Sequence, residues 1–163
     1  MPSKSKDSPE PILLVEDDEN DIFLVARLFE RSNLLNPLIV LRDGDAAIEF
    51  FERSRNPPAS SATPLPLLIL LDMKLPKRPG HEVLRWLRSQ PLFEKLKVVA
   101  LTHPDPMADV NQVVETGANS CLQKPITFDG LMKLLPQLNL SCLLQRDTTK
   151  PVHSPLPLPE TPL

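Results

Sequence analysis

Leu65-Pro66-Leu67-Leu68-Ile69-Leu70-Leu71-Asp72 decides the fold. An almost wholly apolar run of this length reads as a strand buried on both faces, the pattern of a parallel sheet covered by helices. It ends in an acid. In open α/β sheets the crevice beyond the carboxyl ends of the strands is where ligands bind. The next residues, Met73-Lys74-Leu75-Pro76-Lys77-Arg78-Pro79-Gly80, hold two prolines and a glycine and read as a tight loop.

Other strand ends repeat the theme. Ile12-Leu13-Leu14-Val15 runs into Glu16-Asp17-Asp18; Leu96-Lys97-Val98-Val99-Ala100-Leu101 runs into Thr102; Ser120-Cys121-Leu122-Gln123 runs into Lys124-Pro125. Parallel strands would bring all these ends to one edge. Clustered carboxylates raise one another's pKa and call for a counter-charge. A hard divalent cation with oxygen ligands supplies it, and magnesium suits a site that also handles phosphate.

Helical spacing follows each strand. Ile22, Val25, Leu28 and Phe29 mark a first helix, with Asp18 read as its N-cap or dipole partner rather than a ligand. Leu38-Ile39-Val40-Leu41 reads as the second strand. Ala46, Ala47, Ile48, Phe50 and Phe51 mark a second helix, and Val83, Leu84, Trp86 and Leu87 a third after Gly80. Met107, Val110, Val113 and Val114 mark a fourth, with Gly117 as its stop. Phe128, Leu131, Leu134, Leu135 and Leu138 mark a fifth, which Pro136 should kink or interrupt. Strands alternating with helices imply right-handed crossovers and helices on both sheet faces, an α/β doubly wound parallel sheet.

The order and spacing of these strand ends resemble the receiver domain of bacterial two-component response regulators. Thr102 stands thirty residues after Asp72, and Lys124-Pro125 twenty-two after Thr102. The likeness runs from about Pro11 to Leu144, and within the family it leans toward single-domain regulators that partner phytochromes. It implies a flavodoxin-like (βα)5 sheet in the order 2-1-3-4-5. It implies Asp72 as the acceptor of a phosphoryl group from a histidine kinase, with Thr102 and Lys124 as its partners. It implies a magnesium ion held by Glu16, Asp17, Asp72 and the backbone carbonyl of Lys74, with Glu16 acting largely through water, and a cis peptide before Pro125. The protein would promote its own phosphorylation and dephosphorylation rather than turn over a separate substrate. The implied partner is a sensor histidine kinase, with a phytochrome-type kinase as the narrower reading.

Two positions depart from the family pattern. Cys121 stands where many receivers carry a switch aromatic, and the chain has no tyrosine. His103 stands after Thr102, where small residues are more frequent; a surface or packing role is the default reading, and control of access to the site the alternative.

The rest of the chain bounds the possibilities. It has 163 residues, room for one ordinary domain. A net charge of −3 argues against a large nucleic-acid footprint. No apolar stretch approaches a membrane span, and the polar start is no signal peptide. Cys121 and Cys142 make neither a disulfide framework nor a zinc site, which fits a reduced cytoplasm. The expected layout is a flexible N-terminus over 1–10, a receiver over 11–146, and a proline-rich disordered tail over 147–163. The leucine-rich last helix is expected to dimerise the protein, because apolar surface beyond one helix face must be buried somewhere. Two other functions compete. A phosphohydrolase with an aspartate nucleophile wants a second acid two residues on, where this chain has Lys74. A degenerate receiver would bind partners without phosphorylation, against the intact set of site positions.

Overall fold

The computed structural model describes residues 10–32, 34–55, 64–104, 113 and 115–138. The expected tail over 147–163, most of the expected N-terminus, Cys142 and most of the helix expected around Met107 lie outside these residues.

Five strands form one sheet: β1 (Ile12–Val15), β2 (Leu38–Leu41), β3 (Leu68–Asp72), β4 (Val98–Thr102) and β5 (Ser120–Gln123). All pair in parallel, in the order β2-β1-β3-β4-β5. This is the expected flavodoxin-like order, with β3 in the middle. The helices among the described residues are α1 (Glu19–Arg31), α2 (Gly44–Arg55), α3 (Gly80–Ser89) and α4 (Phe128–Gln137).

Alternation along each strand divides the core in two. Ile12, Leu14, Leu68, Leu70, Val99 and Leu101 point to the face covered by α1 and α4, where Val25, Leu28, Phe29, Leu131, Leu134, Leu135 and Leu138 meet them. Leu13, Val15, Ile69, Leu71, Val98 and Ala100 point to the other, against Ala47, Phe51, Val83, Leu84, Leu87 and Phe93. Each side chain of β3 is buried, because a helix layer lies on each face.

Asp18 is the cap of α1, as expected. Its carboxylate accepts from the Asn20 N–H at 2.8 Å and the Asp21 N–H at 3.2 Å. Asp18→Ala should therefore lower stability by about 1 kcal/mol, the usual cost of a lost N-cap, read as a shift in the urea midpoint. Gly117 follows the end of the expected fourth helix with a φ of 112°, the left-handed conformation of a helix stop.

Two features of α4 correct the sequence reading. Pro136 does not break the helix mid-way: it sits in the last turn, and α4 ends one residue later. Proline has no N–H for the Met132 carbonyl, but only Gln137 follows it in the helix, and Leu138 N–H closes the end on the carbonyls of Leu134 and Leu135. Leu134, Leu135 and Leu138 are also not surplus apolar surface. They are 6%, 7% and 6% exposed and pack into their own sheet. Leu140, Leu143 and Leu144 lie outside the described residues.

Candidate functional site

Strand register places the polar groups. Val15 pairs with Leu71, so Glu16 and Asp72 stand level on adjacent strands. Asp72 pairs with Leu101 and Thr102 with Gln123, which puts Lys124 one step past the same edge. Asp72 is thus the last residue of the central strand, and it is 1% exposed.

The Asp72 carboxylate is held at both oxygens. Oδ1 accepts from the Lys74 backbone N–H at 2.9 Å, and Oδ2 accepts from Lys124 Nζ at 3.1 Å. The Lys124 ammonium also donates to Glu16 Oε2 and, at 2.9 Å, to Asp21 Oδ2. The Lys124–Pro125 peptide is cis, as the family likeness implied.

One lysine serves three acids, and the electrostatics follow. Burial pushes Glu16 up from the usual 4.5 to about 7; Lys124 pulls against this, and the neighbouring Asp72 adds to it. Burial alone would lower the Lys124 pKa, but the bonds to Glu16, Asp21 and Asp72 raise it, so this amine stays charged. Glu16 Oε1 in turn accepts from the Asp18 N–H at 3.1 Å.

Glu16, Asp17 and Asp72 each bring a carboxylate oxygen to within 4.8 Å of the others. Glu16 and Asp72 are buried and Asp17 is exposed. An all-carboxylate group with an open side fits a hard cation.

Lys74 has an exposed side chain and meets Asp72 through its backbone. Thr102 is at the right strand end, but its hydroxyl donates to the Leu122 carbonyl at 3.4 Å rather than to Asp72. The contact from the end of β4 comes from His103, whose Nε2 lies 3.7 Å from Asp72 Oδ1. Cys121 is a half-buried free thiol packed on the α2–α3 side of the sheet. Asp21 is the site residue that sequence reasoning missed. Its signal was its place one turn into α1 after the acidic run Glu16-Asp17-Asp18, a turn that points back toward the strand ends.

The loop over the site is closed by backbone. Gly80 N–H donates to the Met73 carbonyl at 3.2 Å, and Lys77 takes a φ of 65° to make the bend. Arg78 ties the loop to α2 through Asp45 at 3.0 Å. Among the described residues no helix is long and apolar enough to cross a membrane.

The chain is similar in sequence and fold to known proteins. Response regulator Rcp1 of Synechocystis is 37% identical over 133 residues, covering 82% of this chain and 88% of that one. Its manganese-bound structure superposes with a TM-score of 0.65 over 88% of this chain and all of that one, at 35% identity. The bacteriophytochrome response regulator RtBRR superposes with a TM-score of 0.71 at 35% identity, covering 88% of this chain and 84% of that one. The phosphorylated cyanobacterial phytochrome response regulator RcpA gives 0.65 at 27% identity, covering 85% and 99%. Residues 12–136 match the response regulator receiver domain. With that match running from the first residue of β1 into the last turn of α4, the chain belongs to the response regulator receiver domain family.

Proposed function

We propose that the protein is a cytoplasmic phosphoacceptor switch, charged at Asp72 by a sensor histidine kinase and read out by protein partners. One observation carries this reading. Asp72 is a buried carboxylate at the end of the central strand, pinned at both oxygens beside an acidic group able to hold a cation. In the transfer, an Asp72 oxygen bonds to phosphorus as the phosphorus–nitrogen bond of a phosphohistidine breaks, and the imidazole nitrogen keeps the electron pair. Because such a reaction needs little covalent help, catalysis is positioning and charge neutralisation.

The roles divide by chemistry. The Lys74 N–H orients Asp72. Lys124 presents a fixed cation to the phosphoryl oxygens. Thr102 would leave the Leu122 carbonyl and donate to the phosphoryl group. Glu16, Asp17, Asp72 and the Lys74 carbonyl are the proposed magnesium ligands. The all-oxygen donor set fits this ion, and the manganese-bound relative supports the placement. Bound there, magnesium neutralises charge on the transferring phosphoryl group. A phytochrome-type kinase is the narrower proposal for the donor, supported by RtBRR and RcpA. We place the receiver unit at 11–146. That it promotes its own phosphorylation and dephosphorylation, without turning over a separate substrate, belongs to the same proposal. The degenerate alternative is disfavoured by the phosphorylated state of RcpA and the intact Asp72 environment.

The test is labelling with a small phosphodonor, with and without magnesium. A metal-dependent, hydroxylamine-labile adduct mapped to Asp72 is expected. An adduct elsewhere, or none, overturns the reading.

Glu16 makes the metal step pH-dependent. Its folded pKa of about 7 lies above the usual 4.5, so in metal-free protein its contribution to stability is full below 4.5 and is lost as pH rises through 7. Magnesium needs the ionised form. Apparent affinity should therefore climb by at most about tenfold per pH unit up to near 7 and level off above. Calorimetry at a series of pH values checks this, and Glu16→Gln should flatten the slope while weakening binding.

A homodimer through the last helix is the finer proposal on partners. With Leu134, Leu135 and Leu138 used by the sheet, its support is Phe128, 48% exposed, and the run Leu140-Ser141-Cys142-Leu143-Leu144. Sedimentation of the full chain should show a dimer at high micromolar concentration, and a monomer in a truncation before Leu140. A full chain that stays monomeric, phosphorylated or not, refutes it.

A further inference from the structure

We infer that Lys77 and Arg78 are positioning residues: clamped to the start of α2 by Asp43 and Asp45, they hold the loop after β3 so that the Lys74 carbonyl is placed for magnesium. The inference rests on the proposed ligand set of Glu16, Asp17, Asp72 and the Lys74 carbonyl. The other three ligands are side-chain carboxylates, which can adjust by rotation. A backbone carbonyl goes where its loop goes.

The ends of this loop are tied locally. Lys74 N–H donates to Asp72 Oδ1 at 2.9 Å, and Gly80 N–H to the Met73 carbonyl at 3.2 Å. Its middle is not at ease. Lys77 takes a φ of 65°, a left-handed conformation that a side chain disfavours. Strain of this kind persists only where the surroundings enforce it.

The enforcing element is α2. Lys77 Nζ lies 3.5 Å from Asp43 Oδ2, and Arg78 Nε donates to Asp45 Oδ1 at 3.0 Å. Asp43 is itself fixed, because its Oδ1 caps α2 by accepting from the Ala46 N–H at 2.7 Å. Between the two acids stands Gly44. A Cβ there would lie 2.1 Å from the Arg78 carbonyl oxygen, so the loop backbone rests directly on the helix. Two acids flanking a glycine thus meet two consecutive bases. Arg78 also lies 3.9 Å from Glu82 on α3. Lys77 and Asp45 are exposed, and exposed pairs add little to global stability. They suffice to bias one short loop.

The sign of the effect on magnesium separates this clamp from plain electrostatics. Removing a positive charge near an acidic group should, by charge alone, tighten cation binding. Loss of the clamp should weaken it.

The experiment measures magnesium affinity by calorimetry at low salt in the full chain, beside urea unfolding. The proteins are wild type, Lys77→Gln, Arg78→Gln, Asp45→Asn and the Arg78→Gln, Asp45→Asn double variant. Lys77→Gln and Arg78→Gln should each weaken binding by about two- to fivefold, with urea midpoints close to wild type. In the Asp45→Asn background, Arg78→Gln should weaken binding far less, because its partner is already neutral. Unchanged or tighter binding in both glutamine variants would overturn the inference. Equal weakening by Arg78→Gln in both backgrounds would overturn it too, as would a midpoint loss that matches the affinity loss, the mark of a loosened fold. Wild type that binds no magnesium removes the ligand reading and this inference with it. Normal wild-type binding with inert Lys77 and Arg78 removes this inference alone.

Discussion

Asp72→Asn should lose phosphorylation altogether while keeping the fold. An amide is no nucleophile toward phosphorus, and the neighbouring acids have other places: Glu16 and Asp21 are engaged by Lys124, and Asp17 is an exposed member of the proposed ion's ligand group. The side chain keeps its shape, so the Lys74 N–H can still donate to the amide oxygen. The variant should also melt no lower than wild type. Three acids share one lysine here, and removing the Asp72 charge relieves Glu16, whose pKa Asp72 helps to raise. Glu16 should accordingly titrate closer to the ordinary carboxylate range. Labelling by a small phosphodonor beside a thermal melt tests both halves. An adduct that persists in Asp72→Asn would place the phosphoacceptor elsewhere. A variant that unfolds would show the Asp72 charge to be structural.

Gly80→Ala should damage both the fold and the site from outside the acidic cluster. A Cβ on Gly80 would lie 2.2 Å from the Asp72 carbonyl oxygen and 2.8 Å from the Met73 Cα. Both are backbone atoms, so no side chain can swing aside. Alanine gains at most about 1 kcal/mol of helix propensity over glycine. Overpacking against immobile atoms costs about 1–3 kcal/mol or more, so the clash wins and α3 must move away from β3. That movement drags Met73 and Lys74, whose backbone positions Asp72. Urea unfolding should show a loss of about 2 kcal/mol. Magnesium affinity and labelling at Asp72 should fall together with it. His81→Ala, at the exposed neighbouring position, should change neither. If Gly80→Ala proves as stable and active as wild type, the closeness of α3 to the strand end is not needed for the site.

Much of this was legible in the chain. The run Leu65 to Leu71 announced a strand with two buried faces, because alternate residues of a strand face opposite sides and both sides were apolar. Acids, a hydroxyl and an amine at successive strand ends were readable for the same reason. Once the sheet is parallel, its carboxyl ends share an edge. Asp18 as a cap was equally local, since it needs only the next three residues.

What the sequence could not decide were contacts between elements. Asp21 meets Lys124 across 103 positions, and only the packing of α1 on the sheet aims it there. The turn of the Thr102 hydroxyl toward Leu122 depends on the pairing of β4 with β5. The place of His103 over Asp72 depends on where two strands end relative to each other. Leu134, Leu135, Leu138, Leu140, Leu143 and Leu144 together looked like more apolar surface than a helix face requires; the first three pack in one cluster with Val25, Leu28 and Phe29 of α1, and the other three lie outside the described residues. Gly80 read as a helix start, while its need for no side chain comes from the Asp72 backbone beside it. Periodicity is a property of the local chain, and it determined the elements, their faces and the shared edge. Distances between side chains on different elements arise only when close packing sets how those elements lie together, and tertiary structure alone decided them.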